Sequence, residues 1–226
     1  MQTKFGEMYR LPIVEIFKSI EGEGVRTGLP TVFVRFAVCN LNCAWCDTNY
    51  SHKLSDATEH LSKEELVSRI LVLKCKRITF TGGEPLERGG DFIKWFATNY
   101  PDFDINIETN GSKDLSSYTE YDNVMFTVDY KCPSSGMTGK MNLATFKQLR
   151  NRDVVKFVVA DDVDLQTVLD VMYNKTPTTK QIYLHPVFGQ MDLIKLAEFV
   201  INYDFLDLRI GIQIHKIIWD PNKRGV

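Results

Sequence analysis

The chain has 226 residues, a mass of 26.0 kDa, a formal net charge of −2 and a pI near 6.1, so it carries no general attraction for phosphate backbones or anionic membranes. No run approaches the ~20 apolar residues that span a bilayer, and residues 1–12 lack the apolar core of a secretion signal. Nucleic-acid and membrane partners are therefore not indicated, and a cytoplasmic location is expected.

Short β-rich runs alternate with helical patterns along the chain. Strands are predicted at residues 12–17, 31–38, 76–81, 103–108, 124–129, 154–160, 180–187 and 208–215. A helix is predicted over 62–74, where Ser62 and Glu65 form a capping box ahead of apolar residues at helical spacing. Further helices are predicted at 90–99, at 142–151 and from the apolar patterns Leu165–Met172 and Leu193–Val200.

Strands that alternate with crossover helices imply a mostly parallel α/β sheet, either doubly wound or barrel-like, and composition does not separate the two. The length suits one α/β domain and no Pro/Gly/Ser-rich linker divides the chain, so residues 1–226 are expected to form one domain. The polar stretch 47–60 is interpreted as a functional loop.

Three of the five cysteines, Cys39, Cys43 and Cys46, lie within eight residues in a loop that follows a predicted strand. Thiolates are the usual iron–sulfur ligands, and this spacing lets one loop bind three corners of a 4Fe–4S cubane and leave one iron open. Zinc, with His52 as a fourth ligand, and inert core thiols are the alternatives, since a structural zinc site takes four ligands. The other two cysteines have no partner at ligand spacing.

The C-x3-C-x2-C spacing, with Trp45 before its last cysteine, resembles the signature of radical S-adenosylmethionine (SAM) enzymes, as does the turn Gly82-Gly83-Glu84-Pro85. The resemblance implies a single-domain partial TIM-like barrel of mostly parallel strands, with the cluster loop at their C-terminal ends. It implies that SAM chelates the open iron and that the backbone of this turn and Glu84 meet its amino group. Glycine suits such a turn because backbone must approach the ligand closely.

Further segments narrow the resemblance to the 7-carboxy-7-deazaguanine synthase family, from about residue 13 onward. The similar segments are Phe17–Gly24, Phe33–Phe36, Asp47–Thr48, Glu108–Gly111, Asp129–Pro133, His185–Gly189 and Gln213–Lys216. The family contracts 6-carboxy-5,6,7,8-tetrahydropterin to 7-carboxy-7-deazaguanine with loss of ammonia, a carbon–nitrogen lyase step of queuosine-type 7-deazapurine biosynthesis. The resemblance implies a 4Fe–4S cluster, SAM, Mg²⁺, an electron donor such as flavodoxin or ferredoxin, and a homodimer.

The resemblance also implies roles for individual residues. Glu21 and Glu23 are assigned to the pterin's N–H donors, although the family often has Gln where Glu21 stands, and Arg35 is assigned to the substrate carboxylate. His215 is assigned to substrate and Thr48 to Mg²⁺, the alternatives being a satisfied structural histidine and a polar turn. Assigned to the cofactor are Trp45, Gly82, Gly83, Glu84, Glu108, Asn110, Asp129, Lys131 and Ser134.

Two other classes of function stay open at this point. A glycyl-radical activase shares the cysteine motif but acts on a protein, and Glu23, Thr48 and His215 argue against it. A zinc or iron–sulfur regulatory module is the non-enzymatic alternative, and the basic patch or recognition helix expected of nucleic-acid binding is missing from the sequence.

Overall fold

One sheet organises the chain. The computed structural model describes residues 10–175 and 177–226. The strands in them are β1 Leu11–Ile20, β2 Pro30–Phe36, β3 Glu59–Leu61, β4 Arg77–Gly82, β5 Asp104–Thr109, β6 Val124–Lys131, β7 Val154–Val159, β8 Gln181–Pro186 and β9 Leu208–Ile210. Their order in the sheet is β3-β1-β2-β4-β5-β6-β7-β8-β9. β1 runs antiparallel to β2 and β3, and the neighbours from β2 to β9 are parallel.

The sheet is open, because β3 and β9 form its two ends within the described part of the chain. The expected fold class, an incomplete and mostly parallel α/β barrel, is confirmed. The strand predicted at 208–215 is wrong beyond Ile210. The Gly211 N–H makes a last bond to the Leu184 carbonyl at 2.8 Å, and the chain then leaves β8, since the Ile214 N–H bonds to the Gly22 carbonyl at 3.2 Å.

Helices follow most of the parallel strands. They are α1 Lys63–Val72, α2 Pro85–Arg88, α3 Gly90–Asn99, α4 Leu143–Phe146, α5 Asp162–Lys175, α6 Leu193–Asn202 and α7 His215–Ile218, and 3-10 turns lie at Gly24–Arg26, Asn49–Ser51, Leu54–Asp56, Ser116–Tyr118, Pro133–Ser135, Thr138–Lys140 and Asp204–Leu206. The predicted capping box of α1 is confirmed: the Ser62 hydroxyl accepts the Glu65 N–H at 3.2 Å, and the Glu65 carboxylate accepts the Ser62 N–H at 2.7 Å.

The helix predicted over 142–151 is shorter than expected. Asn142 caps its start, where its side chain accepts the Ala144 N–H at 3.2 Å. The Arg150 N–H bonds to the Asp153 carboxylate at 2.7 Å instead of to a carbonyl of the preceding turn. This side-chain bond belongs to the turn before β7, so the helix does not continue to that point.

Alternation along the central strands separates a core face from a polar face. Ile78 and Phe80 on β4 are fully buried in the hydrophobic core, where aromatic side chains of α3 such as Phe96 meet Phe80 edge-on. The intervening β4 residues are threonines. On the neighbouring strand β5, apolar and polar residues alternate in the same way. The polar face therefore presents hydrogen-bonding and charged side chains inside the curved sheet.

Among the residues that the structure describes, no helix is both long and apolar enough to cross a membrane.

Candidate active site

A cavity of about 500 Å³ opens on the polar face of the sheet, at the C-terminal ends of the parallel strands. Ligand sites of parallel α/β folds gather at these strand ends. Most of the residues predicted from the sequence line the cavity, namely Glu21, Glu23, Arg35, Cys39, Cys43, Trp45, Cys46, Thr48, Gly82, Gly83, Glu108, Asn110, Asp129, Lys131 and His215. The predicted residues Glu84 and Ser134 do not line it.

The cysteine loop begins directly after β2 and is fixed by backbone hydrogen bonds. Val38, a β-branched residue, has a φ of 82°, in the left-handed region that such residues rarely adopt. Its N–H donates to the Ser51 carbonyl at 2.8 Å, and its own carbonyl accepts the Glu84 N–H at 2.8 Å. The Ala44 N–H donates to the Ser135 carbonyl at 3.0 Å. These bonds hold the strained turn and aim the loop into the cavity.

The three thiols fit an iron–sulfur cluster better than a single ion. Backbone N–H groups donate to the Cys39 sulfur from Leu41 at 3.5 Å and to the Cys46 sulfur from Thr48 at 3.4 Å. In the described residues no three Cys, His, Asp or Glu side chains converge on one metal ion, whereas a cubane binds each thiolate to a different iron. Burial raises the pKa of all three thiols, so iron must displace their protons on binding.

Both glycines of the turn after β4 are required by close backbone contacts. Gly82 has a φ of 125°, and a Cβ there would lie 2.2 Å from the Phe36 carbonyl oxygen. A Cβ on Gly83 would lie 2.3 Å from the Val38 carbonyl oxygen. The turn can thus pack against the start of the cysteine loop while exposing its own backbone to the cavity.

Glu84 is fully buried and supports the cavity wall from behind. Its carboxyl group accepts the Asn110 N–H at 2.8 Å, the Thr109 hydroxyl at 2.9 Å and the Leu86 N–H at 3.1 Å. Burial raises its pKa to about 7. In this structure Glu84 therefore holds the Thr109–Asn110 turn, and Asn110 rather than Glu84 reaches the cavity.

A cationic pair on β6 and β7 organises the carboxylates of the cavity. The ammonium of Lys156 lies 2.5 Å from the Glu23 carboxylate and 3.0 Å from the Asp129 carboxylate. The ammonium of Lys131 lies 2.6 Å from the other oxygen of Asp129 and 5.3 Å from the centre of the Trp45 ring. The four charged side chains are at most 18% exposed, so the charges stay paired away from bulk water.

Glu23 and Glu21 are held in opposite protonation states. Burial raises the pKa of Glu23, but the charges of Lys156 and His185 and the hydrogen bonds from Lys156 and Gln213 together outweigh burial and hold the pKa well below its usual range. Burial, and then the charge of Glu108, raise the pKa of Glu21 to about 8, although the Thr79 hydroxyl donates to its carboxyl at 2.6 Å. The lowered pKa favours the carboxylate form of Glu23, and the raised pKa favours the neutral acid form of Glu21, which has an O–H donor as well as acceptor oxygens.

The remaining predicted side chains lie elsewhere along the cavity wall. Arg35 uses its Nε to donate to the Glu15 carboxylate at 2.7 Å. The Thr48 hydroxyl donates to the Asp47 carboxylate at 2.9 Å. His215 begins α7 and packs on Gly22, where a Cβ would lie 2.0 Å from its Nδ1.

The similarity of this chain to known proteins agrees with the chemistry of the site. A family model described as the Radical SAM superfamily matches residues 33–149. A 7-carboxy-7-deazaguanine synthase of Clostridium acetobutylicum is 40% identical over 219 residues, covering 95% of this chain and 98% of the relative. One from Koribacter versatilis is 31% identical, covering 96% of this chain and all of the relative. The chain belongs to the 7-carboxy-7-deazaguanine synthase family of radical SAM enzymes.

A solved structure supports the fold independently. The crystal structure of QueE from Escherichia coli matches with a TM-score of 0.70 at 23% identity and covers 90% of this chain and 94% of that chain. Membership of the radical SAM family implies a 4Fe–4S cluster and SAM, and the cysteine loop and glycine turn have the chemistry to hold them. The full-length relatives are named 7-carboxy-7-deazaguanine synthases, which favours that interpretation over the zinc module and the activase.

Sequence reasoning gave no role to two buried residues of the cavity, Lys156 and His185. His185, at the end of β8, is 2% exposed, and its two ring nitrogens have no hydrogen-bond partner among the residues described. Burial lowers its pKa. The signal for Lys156 was present, because a lone charge interrupts the apolar run Val154–Val159. A buried charge at such a position needs partners, and those partners mark a site.

Proposed function

We propose that this chain catalyses the radical ring contraction of 6-carboxy-5,6,7,8-tetrahydropterin to 7-carboxy-7-deazaguanine with loss of ammonia. The observation that carries the proposal is a single cavity in which the cysteine loop faces Glu21, Glu23 and the guanidinium of Arg35. A carboxypterin offers the matching groups, since its aminopyrimidinone edge has adjacent N–H donors and its other end carries a carboxylate. The names of the full-length relatives support the same product.

The two glutamates would recognise the pterin edge. Glu23, kept ionised by Lys156, accepts N–H donors as a charged group, and such bonds are stronger than neutral ones. Glu21, kept neutral, donates once and accepts once. Its hydrogen bonding then resembles that of the Gln often found there in the family, so the substitution keeps the chemistry of the position.

Binding of the cluster and SAM requires three thiolates and a backbone segment that can approach the cofactor closely. Bound SAM supplies the hydrogen-abstracting radical, and the chain's own residues hold the reacting groups in place and keep water out. The Trp45 indole N–H donates to the Ser134 hydroxyl at 2.9 Å, which fixes the aromatic wall beside Lys131. Ser134 thus supports Trp45 from outside the cavity, and we expect Asn110 and Lys131, which line the cavity, to contact the cofactor.

Arg35→Lys tests the substrate assignment. Lysine keeps the positive charge but loses the planar fork that matches a carboxylate, so substrate affinity should fall by roughly 1–3 kcal/mol, about 5- to 150-fold. The measurement is equilibrium binding of 6-carboxytetrahydropterin to anaerobic enzyme, with iron content as the control for an intact cluster. Arg69→Lys is a matched control, because Arg69 forms an exposed ion pair with Glu59 on the surface. Unchanged affinity in Arg35→Lys would remove this residue from the substrate site.

Mg²⁺ is a second part of the proposal. Thr48 offers a neutral oxygen at the cavity wall, and the adjacent Asp47 carboxylate, held by Lys216 at 2.8 Å, supplies negative charge nearby. Hard cations prefer oxygen ligands and keep several waters, so one protein oxygen with substrate oxygens suffices.

Thr48→Val removes the hydroxyl while nearly preserving shape. Cluster content and SAM binding should stay normal, but the dependence of turnover on Mg²⁺ should weaken or disappear. The measurement is product formation across a Mg²⁺ titration, with Thr98→Val on the exposed side of α3 as the control. If the Mg²⁺ response of Thr48→Val matches that of the unaltered chain, Thr48 is only a turn residue.

The remaining parts of the proposal concern assembly and partners. We propose that residues 1–226 act as one radical SAM domain in the cytoplasm, as a homodimer, with flavodoxin or ferredoxin as electron donor. Homodimers are the commonest assembly of compact enzymes, and a low-potential cluster requires an external one-electron reductant.

A further inference from the structure

His52 connects two of the three cluster cysteines. Its Nε2 lies 3.2 Å from the Cys46 sulfur, and its backbone carbonyl accepts the Cys39 N–H at 3.0 Å. The imidazole lines the same cavity as the three thiols. His52 lies within the polar loop 47–60 after the cluster motif and is not among the residues that the proposed function uses.

The backbone on both sides fixes where this imidazole stands. The preceding residue, Ser51, is fully buried, and its hydroxyl donates to the Thr48 carbonyl at 2.8 Å. Its carbonyl accepts the Val38 N–H at 2.8 Å, directly beside the bond between His52 and Cys39. Backbone hydrogen bonds therefore join this segment to the start of the cysteine loop. They fix the position of His52, so its side chain stays beside Cys46.

When iron binds the Cys46 thiolate, the donor and acceptor of its hydrogen bond with His52 are determined. An iron-bound sulfur has lone pairs and no proton, so the ring nitrogen beside it must carry the hydrogen and donate. Hydrogen bonds to cluster sulfurs are one of the levers that set an iron–sulfur potential. They stabilise the reduced cluster more than the oxidised one, because reduction places more negative charge on the sulfurs.

We propose that His52 is a positioning residue of the cluster loop that makes the cluster easier to reduce, by donating from Nε2–H to the Cys46 thiolate. The other side-chain contact to a cluster sulfur in the described residues is longer, from the Asn110 amide to Cys39 at 3.9 Å. His52 acts through Cys46 and leaves the fourth iron open for SAM. This role concerns the cluster alone and is independent of which substrate occupies the cavity.

The test is a redox titration of the anaerobically reconstituted full chain without SAM or substrate, monitored by electron paramagnetic resonance of the reduced cluster. In His52→Phe the ring volume is kept and the donor is lost. The ratio of reduced to oxidised cluster at a fixed potential should fall by about three- to tenfold, the net worth of one hydrogen bond. Iron and sulfide content should stay normal. In His52→Gln the amide N–H should recover part of the shift.

His60→Phe is the matched control, because His60 is exposed on β3 and lies outside the cavity. It should titrate like the unaltered chain. Two results would overturn the proposal: a midpoint in His52→Phe and His52→Gln equal to that of the control, or loss of iron from both variants. The second result would make His52 a metal ligand instead of a donor to Cys46. Failure of pterin turnover would leave this titration unaffected, so the two proposals fail separately.

Discussion

Cys43→Ala should lose the cluster and all product formation together. Two thiolates remain in that variant, and two corners do not hold a cubane whose open iron must also bind SAM. Iron and sulfide content, the visible absorption of the cluster and the cleavage of SAM to 5′-deoxyadenosine should all fall to background. The fold should persist, because Cys43 is only half-buried in a surface loop and makes no part of the core.

Cys75→Ala is the control for that experiment. Cys75 is also a half-buried free cysteine, but its thiol donates to the Pro30 carbonyl at 3.3 Å and does not line the cavity. Iron content and turnover should therefore be unchanged. Normal iron content and normal SAM cleavage in Cys43→Ala would contradict the assignment of the three cysteines to the cluster.

Glu23→Gln should give the largest effect among the residues that we propose to bind substrate. The change turns one acceptor oxygen into a donor that faces the N–H groups of the pterin, and it leaves Lys156 with Asp129 as its main counter-charge. A lost charge-assisted bond corresponds to about 1.5–3 kcal/mol, so substrate affinity should fall by about 10- to 150-fold. Cluster content should remain normal, since Glu23 makes no contact with the cysteine loop among its hydrogen bonds.

The second expected effect of Glu23→Gln is that SAM cleavage becomes uncoupled from product formation. A poorly held substrate lets the radical be quenched before it reacts, so 5′-deoxyadenosine should accumulate relative to 7-carboxy-7-deazaguanine. Lys156→Met should produce the same two effects, and the double variant should be less than additive because both residues form one pair. Glu87→Gln is the control, since Glu87 pairs with Lys113 outside the cavity. Equal affinity and coupling in Glu23→Gln and its control would contradict the pterin assignment.

The sequence predicts the parts of the site that local spacing determines. The Cys39–Cys46 loop and the Gly82–Gly83 turn depend on short-range geometry and on where a strand ends, so both are placed correctly at the cavity. The strand alternation predicts most of the sheet for the same reason. β3 escapes prediction because three residues are too few to show a period.

The parts that sequence reasoning missed depend on contacts between distant segments. Lys156 bonds to Glu23, which lies 133 positions away in the sequence. No local sequence pattern predicts that pair. The protonation of Glu21 depends on its burial and on Glu108 from another strand. Glu84 shares a motif with two cavity glycines, yet the fold turns its side chain into the wall.

Turnover of the purified chain tests the central claim most directly. Anaerobically reconstituted protein is supplied with 6-carboxytetrahydropterin, SAM, Mg²⁺ and a low-potential reductant, and the products are identified by mass spectrometry. The proposed function predicts 7-carboxy-7-deazaguanine and ammonia in equal amounts, both dependent on SAM and absent in Cys43→Ala. The proposed function would be contradicted if the fully loaded chain cleaved SAM but formed no deazaguanine. The positive control is a related synthase that forms product under the same conditions.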